Sequence, residues 1–212
     1  MSLFITFEGS EGCGKSTQAK ALWRKLVRLD IPTVLTHEPG GTSLGSQLRR
    51  VLKKGRQDKI SPLAELFLFA ACRIQLVTEV IRPSLLQGKV VICDRFSDST
   101  TVYQGYGRGL DLDTIKKTND LATQGIKPDL TILLDILTQK GLSRKPSTTN
   151  DRFETENIAF HDKVRAGYLK LVAEEPGRWL VIDANLPRVK IGKIIWDRVN
   201  RLIQAQKASR HE

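Results

Sequence analysis

Cysteine and histidine are scarce in this sequence, with three residues of each among 212, and neither set is spaced to hold a metal. Cys13, Cys72 and Cys93 are odd in number and lack the paired spacing of zinc or redox motifs, so they read as reduced thiols. His37, His161 and His211 form no ligand pattern, which argues against a transition-metal site. No apolar run approaches the length that crosses a bilayer, and no charged start followed by an apolar stretch and cleavage site opens the chain. The expectation is a soluble, cytoplasmic protein with no membrane partner. Acidic residues are also in deficit: 34 Lys and Arg face 23 Asp and Glu, a net charge of +11. That excess is dispersed over helix faces, with local clusters such as RRVLKKGR (Arg49 to Arg56) and a polar basic tail, KASRHE. Arginine-rich tracts with interleaved aromatics, zinc-finger spacing and RNA-binding aromatic motifs are missing. Nucleic acid is therefore not the expected partner; most of the charge reads as solvated surface, with a few groups left to line an anion site.

What is present begins at GSEGCGKST, residues 9 to 17. Gly9, Gly14, Lys15 and Ser16 satisfy G-x-x-x-x-G-K-[ST], with Ser10, Glu11, Gly12 and Cys13 as the variable positions and Thr17 following. An apolar run of strand type, LFITF, precedes the loop, and Ala19, Leu22, Leu26 and Leu29 recur behind it at helical spacing. Strand, glycine loop and helix is the arrangement in which backbone N–H groups and a helix N-terminus surround phosphate oxygens. Lys15 would reach the β and γ phosphates, and the Ser16 hydroxyl would ligate Mg²⁺. Apart from Lys15 the loop has no basic residue, so charge on a moving phosphoryl group must be neutralised from elsewhere.

Further strand-like runs stand at TVLTH (Thr33 to His37), VVICD (Val90 to Asp94), DLTILLD (Asp129 to Asp135) and WLVID (Trp179 to Asp183), separated by helix-length segments. Their continuous apolar character suits strands covered on both faces, hence a parallel sheet in an α/β sandwich. Leu63 to Gln87 reads as one long helix that Pro83 kinks or ends. Asp111 to Gln124 reads as a helix capped by its aspartate, and the last helices run from about Glu154 to Glu175 and from Pro187 to about Gln206. No repeat or linker divides the chain, so residues 1 to 212 are expected to form one domain. The polar stretch GLSRKPSTTNDRF, residues 141 to 153, interrupts the pattern, and Arg144 and Arg152 suggest a lid rather than an ordinary loop.

A phosphate loop alone does not separate a kinase from a GTPase, a transporter or a motor. The guanine-specific Asn-Lys-x-Asp and the transporter Leu-Ser-Gly-Gly-Gln are missing, as is the loop proline usual in adenylate-type kinases. In their place DRF, Asp94 to Phe96, directly follows a buried strand. An aspartate there can hold Mg²⁺ through water, and the adjacent arginine can clamp an acceptor phosphate with its planar fork. A nucleic-acid-binding ATPase remains the rival reading from another class, motivated by the net charge.

Several longer stretches, HEPGGT (His37 to Thr42), FAACRIQ (Phe69 to Gln75), DRFSDSTTVYQGYGR (Asp94 to Arg108) and DRFE (Asp151 to Glu154), combine with GSEGCGKST into a pattern that closely resembles the thymidylate kinase family. The likeness extends over nearly the whole chain and is to the bacterial form, in which the lid supplies an arginine that the phosphate loop lacks.

The resemblance implies transfer of the γ-phosphoryl of ATP to dTMP, giving dTDP, with Mg²⁺. It implies a three-layer sandwich with a five-stranded parallel sheet, the P-loop nucleoside monophosphate kinase fold, and a homodimer. It also implies a dTMP pocket in which Phe69 stacks on thymine, Arg73 bonds its carbonyl, and Thr100 and Gln104 address the base edge. Tyr103 packs beneath the sugar, Glu11 accepts the 3'-hydroxyl, and Arg95 with Arg49 holds the acceptor phosphate. Lys15, Asp94, Arg95 and Arg144 carry catalysis, with Arg152 as the second lid arginine. His37 stands where the family usually has Arg, and Cys72 and Leu76 stand where Asp and His are common. Those departures predict substrate positioning that differs in detail, with Phe69 and Arg73 retained.

Overall fold

The computed structural model describes residues 2–53, 60–144 and 152–208. β1 (Leu3–Glu8) is buried along its whole length and leads through the glycine loop into α1 (Lys15–Arg28). β2 (Thr33–His37), α2 (Ser43–Lys53) and α3 (Pro62–Leu76) follow. Ser61 caps α3 by accepting the Ala64 N–H, and Pro62 occupies the first turn, where its missing donor costs nothing.

The segment read as one long helix changes winding before its proline. α3 runs into a π-helical stretch, Val77–Ile81, and continues as α4 (Arg82–Leu86). Proline crowds the carbonyl four residues earlier and cannot bond to it, and the wider π turn ahead of Pro83 takes up that misfit.

β3 (Val90–Asp94), α5 (Ser97–Thr100), a second π-helical stretch (Thr101–Gly107) and α6 (Leu112–Thr123) come next. Asp111 caps α6 as its sequence suggests, accepting the Thr114 N–H at 2.8 Å. β4 (Leu130–Asp135) is followed by α7 (Thr138–Ser143), so the stretch expected as a loop from residue 141 begins inside a helix. Residues 145–151 of that expected lid lie outside the described residues. α8 (Ile158–Glu174) starts four residues later than expected because Asn157, not Glu154, is its cap. β5 (Trp179–Asp183) and α9 (Arg188–Ala208) complete the described chain.

The five strands form one parallel sheet in the order β2-β3-β1-β4-β5. Alternate side chains of each strand leave opposite faces. Leu3, Ile5 and Phe7 of β1 pack with α1 and α9, while Phe4 packs with Phe96, Leu76 and Ile81 on the other side. Helices on both faces explain why the strand runs are continuously apolar. Phe7 and His37 both pair with Asp94, which brings the carboxyl ends of β1, β2 and β3 level. The order reverses at β1, between β3 and β4, and a crevice opens outside the strand ends at such a switch point.

Candidate active site at the carboxyl ends of the strands

A cleft of about 1040 Å³ occupies that crevice. On its phosphate side, α1 begins at Lys15 with Gly14 as its cap. The Lys15 ammonium is buried and donates to the carbonyls of Gly9 at 2.9 Å and Ser10 at 2.8 Å. Ser16 Oγ donates to the Asp94 carboxylate, which joins the phosphate loop to the end of β3. Cys13 is buried in the core beneath the loop, whereas the exposed Thr17 faces the cleft from the first turn of α1.

Gly12 and Gly141 carry a contact that the sequence did not reveal. Gly12 has φ +71°, and a Cβ built on it would lie 1.9 Å from the carbonyl oxygen of Gly141. A Cβ on Gly141 would in turn lie 2.5 Å from the carbonyl oxygen of Glu11. The phosphate loop and α7 therefore touch backbone to backbone. Arg144, directly after α7, donates to the Ala184 carbonyl at 3.0 Å and the Asn185 side chain at 3.4 Å, and it lines the cleft.

The facing side of the cleft turns on Arg95, whose backbone takes the left-handed conformation, φ 73°, that branched or long side chains seldom adopt. Its guanidinium pairs with Glu11 at 2.5 Å, donates to the Tyr103 hydroxyl at 3.1 Å and lies 4.9 Å from the centre of the Tyr103 ring. The Tyr103 O–H donates to Glu11 at 3.1 Å. Arg49 reaches the same cleft and donates to the Pro39 carbonyl at 2.7 Å.

Beneath Arg95 sits Glu8, which sequence reasoning missed. It is fully buried and accepts the Phe96 N–H at 2.8 Å, the Ser99 hydroxyl at 2.6 Å and the Tyr168 hydroxyl at 2.7 Å. Burial, reinforced by the Asp98 charge, pushes its carboxyl up to about 7. An acid at the end of an apolar strand, immediately ahead of Gly9, was the available signal.

Deeper in, Arg73 is buried and its fork is largely occupied. Nε and Nη2 donate to one oxygen of Glu38 at 2.9 and 2.7 Å, Nη1 donates to Asn119 at 2.8 Å, and Nη2 also reaches Thr100 Oγ1 at 2.8 Å. Burial raises the Glu38 carboxyl, and the Arg73 charge opposes that rise. Phe69 lines the cleft with its ring 5.8 Å from Phe153, whose ring is 6.1 Å from Tyr103. Phe153 thus adds an aromatic wall beyond those named from sequence. Gln104 donates through its amide nitrogen to Glu65 at 2.7 Å. Arg152 also ends on Glu65, on this side of the cleft and away from the phosphate loop. Glu65, Phe69 and Arg73 share one face of α3 at four-residue intervals, and that register was the sign that Glu65 belongs with the other two.

One cleft therefore collects Glu11, Lys15, Ser16, Arg49, Phe69, Arg73, Asp94, Arg95, Thr100, Tyr103, Gln104 and Arg144. A phosphate loop faces an arginine-bearing pocket across a β-strand aspartate, the arrangement of a P-loop kinase of the mononucleotide class.

Comparison with known proteins gives the family. Residues 7–194 match the thymidylate kinase family model. The thymidylate kinase of Dehalococcoides mccartyi is 56% identical over 204 residues, covering 96% of this chain and 99% of that protein. That of Trichlorobacter lovleyi is 47% identical over 204 residues, covering 93% and 96%. A crystal structure of thymidylate kinase from Ehrlichia chaffeensis aligns with a TM-score of 0.72 at 38% identity, covering 85% of this chain and 92% of that one. The chain belongs to the thymidylate kinase family, and its reaction is the ATP-dependent phosphorylation of dTMP to dTDP. Among the described residues no helix is long and apolar enough to cross a membrane.

Proposed function

We propose that the chain works as one kinase domain that transfers the γ-phosphoryl of ATP directly and in line to the phosphate of dTMP. The acceptor is a phosphate monoester with a second pKa of about 6, so it is already a nucleophile and no side-chain base is needed. Catalysis then rests on positioning and charge. Lys15 turns from its loop carbonyls to the β and γ phosphates. Arg95, with Arg49, orients the acceptor phosphate, and Glu11 takes the sugar 3'-hydroxyl over the Tyr103 ring. Phe69, Arg73, Thr100 and Gln104 surround the base. Arg144 is assigned the lid role rather than Arg152, whose guanidinium is engaged by Glu65.

The observation that carries this reading is the Arg95 turn. Its uncommon backbone conformation, held by the Glu8 bond to the next N–H, aims a guanidinium between the phosphate loop and the acceptor pocket.

The donor set also fits Mg²⁺. Ser16 and Asp94 offer hard oxygen ligands beside the loop, and the described residues hold no cluster of three or more His, Cys, Asp or Glu for another metal. Mg²⁺ usually takes one or two protein oxygens and completes its shell with water and phosphates. Bound there, it would neutralise charge on the β and γ oxygens. The homodimer belongs to the same proposal. α3 contacts α2 and α6 and leaves Leu63, Phe67 and Ile74 exposed, and α2 leaves Leu44 and Val51 exposed. Three buried free cysteines are in keeping with a reducing cytoplasm.

The test is kcat/KM for dTMP against dUMP, together with ADP release in the presence of single-stranded DNA. One methyl group in a pocket is worth roughly 10 to 200-fold, so dUMP should be a poorer but usable substrate. DNA should not stimulate turnover. Equal values for the two nucleotides would overturn the base pocket, and DNA-driven hydrolysis without dTMP would favour the nucleic-acid ATPase.

A further inference from the structure

Glu65 does not line the cleft, is completely buried, and holds more polar partners than any packing role requires. Oε1 takes the Gln104 amide nitrogen at 2.7 Å and Arg108 Nε at 3.2 Å, while Oε2 takes Arg108 Nη2 at 3.3 Å and Arg152. Each of these partners brings a donor to the carboxylate, so Gln104 meets it with its nitrogen. An amide has one donating and one accepting end. Its nitrogen is committed to Glu65, which leaves the amide oxygen of Gln104, a residue of the cleft wall, as the group it has to offer a ligand. Flipping the amide would set two acceptor oxygens against each other in a buried site and leave a lone pair without a donor.

We infer that Glu65 is a positioning residue for base selection: it fixes Gln104 so that the pocket presents an acceptor to the pyrimidine N3. Thymine carries a hydrogen at N3 and donates to such an acceptor. Cytosine carries a lone pair there and meets it oxygen against nitrogen. The inference rests on the reading that Gln104 addresses the base, and the experiment separates the two.

Steady-state kinetics with dTMP and dCMP would be measured for the wild type, Glu65→Gln, Glu65→Asp and Gln104→Leu, with a thermal melt of each. A neutral amide at 65 can accept or donate, so Gln104 is freed to flip. Glu65→Gln should reduce the dTMP to dCMP ratio of kcat/KM by about tenfold or more, through a higher KM for dTMP with kcat nearly held. Glu65→Asp keeps the charge that Arg108 and Arg152 need but withdraws the carboxylate by one methylene. It should move the ratio the same way by less, and it decides the matter if Glu65→Gln fails to fold. An unchanged ratio in the folded Glu65 variants, with Gln104→Leu lowering it, overturns the role of Glu65 and leaves the base reading standing. A Gln104→Leu enzyme with unchanged dTMP KM and unchanged ratio overturns the base reading itself.

Discussion

The two sides of the cleft are built in different ways. The side proposed to hold phosphate is nine consecutive residues that would offer mostly backbone groups, with Lys15 and Ser16 at the start of α1. The side proposed to hold the base is assembled from side chains far apart in sequence. Glu65 meets Gln104 across 39 positions, Arg108 across 43 and Arg152 across 87, and Arg73 meets Asn119 across 46. Backbone ligands follow from the chain's own path and persist when distant contacts change. Buried carboxylates hold their partners only while every member of the network stays satisfied. Substitutions on the phosphate side should therefore register in kcat, and those on the base side in KM and selectivity.

The largest test of that division is Arg144. Arginine fingers in phosphoryl transfer contribute roughly 10³ to 10⁵ in kcat. Arg144→Ala should cost on that scale while leaving the KM for dTMP almost unmoved. Arg144→Lys should recover only part, because a point charge lacks the guanidinium fork. Arg152→Ala, on the other side, should raise the KM for dTMP instead. Single-turnover and steady-state rates for the three variants decide it. A near-normal kcat in Arg144→Ala, or a KM effect alone, breaks the comparison.

Glu8 sharpens it, because a buried carboxylate with distant partners sits beneath Arg95 while directly preceding the phosphate loop in the chain. Its folded-state pKa, near 7 against an ordinary 4.5, means that between those values the folded protein keeps a proton the unfolded chain has released. The carboxyl's contribution to stability is thus complete below pH 4.5 and is lost as pH rises through 7. Glu8→Gln has nothing to titrate there. From pH 5 to pH 8 the wild type should lose stability relative to that variant, by an amount on the order of 3 kcal/mol. Urea unfolding at both pH values measures it. A constant difference between the two proteins removes Glu8 from the pH dependence.

Legibility in the sequence followed the same line. The sheet could be read because buried parallel strands are apolar without interruption, and the phosphate loop because its chemistry lies within nine residues. The proposed base pocket rests on the likeness of longer stretches such as FAACRIQ, not on periodicity, since Phe69 at helical spacing looks like any core residue. Glu8, Glu65 and Phe153 stayed hidden because each acquires its role only through partners that the fold delivers. The π-helical turns at Val77–Ile81 and Thr101–Gly107 escaped for a related reason. A 3.6-residue pattern carries no mark of one extra residue per turn.

The smallest expected effect lies where the phosphate loop meets α7. In Gly141→Ala two terms oppose each other. Alanine in place of glycine within a helix stabilises by about 1 kcal/mol, whereas the added methyl would stand 2.5 Å from the Glu11 carbonyl oxygen. That neighbour is backbone and cannot swing aside, and such overpacking costs about 1 to 3 kcal/mol. The clash is relieved if α7 shifts away from the phosphate loop, which keeps the helical gain. Thermal stability should then change little, but the shift carries Arg144, one residue beyond α7, away from the loop. kcat should fall by roughly tenfold, the equivalent of about 1.4 kcal/mol, at unchanged dTMP KM. A fall in melting temperature with normal kcat would mean that the Gly12 and Gly141 contact serves packing alone. An unchanged kcat at unchanged stability would detach the reach of Arg144 from the phosphate loop altogether.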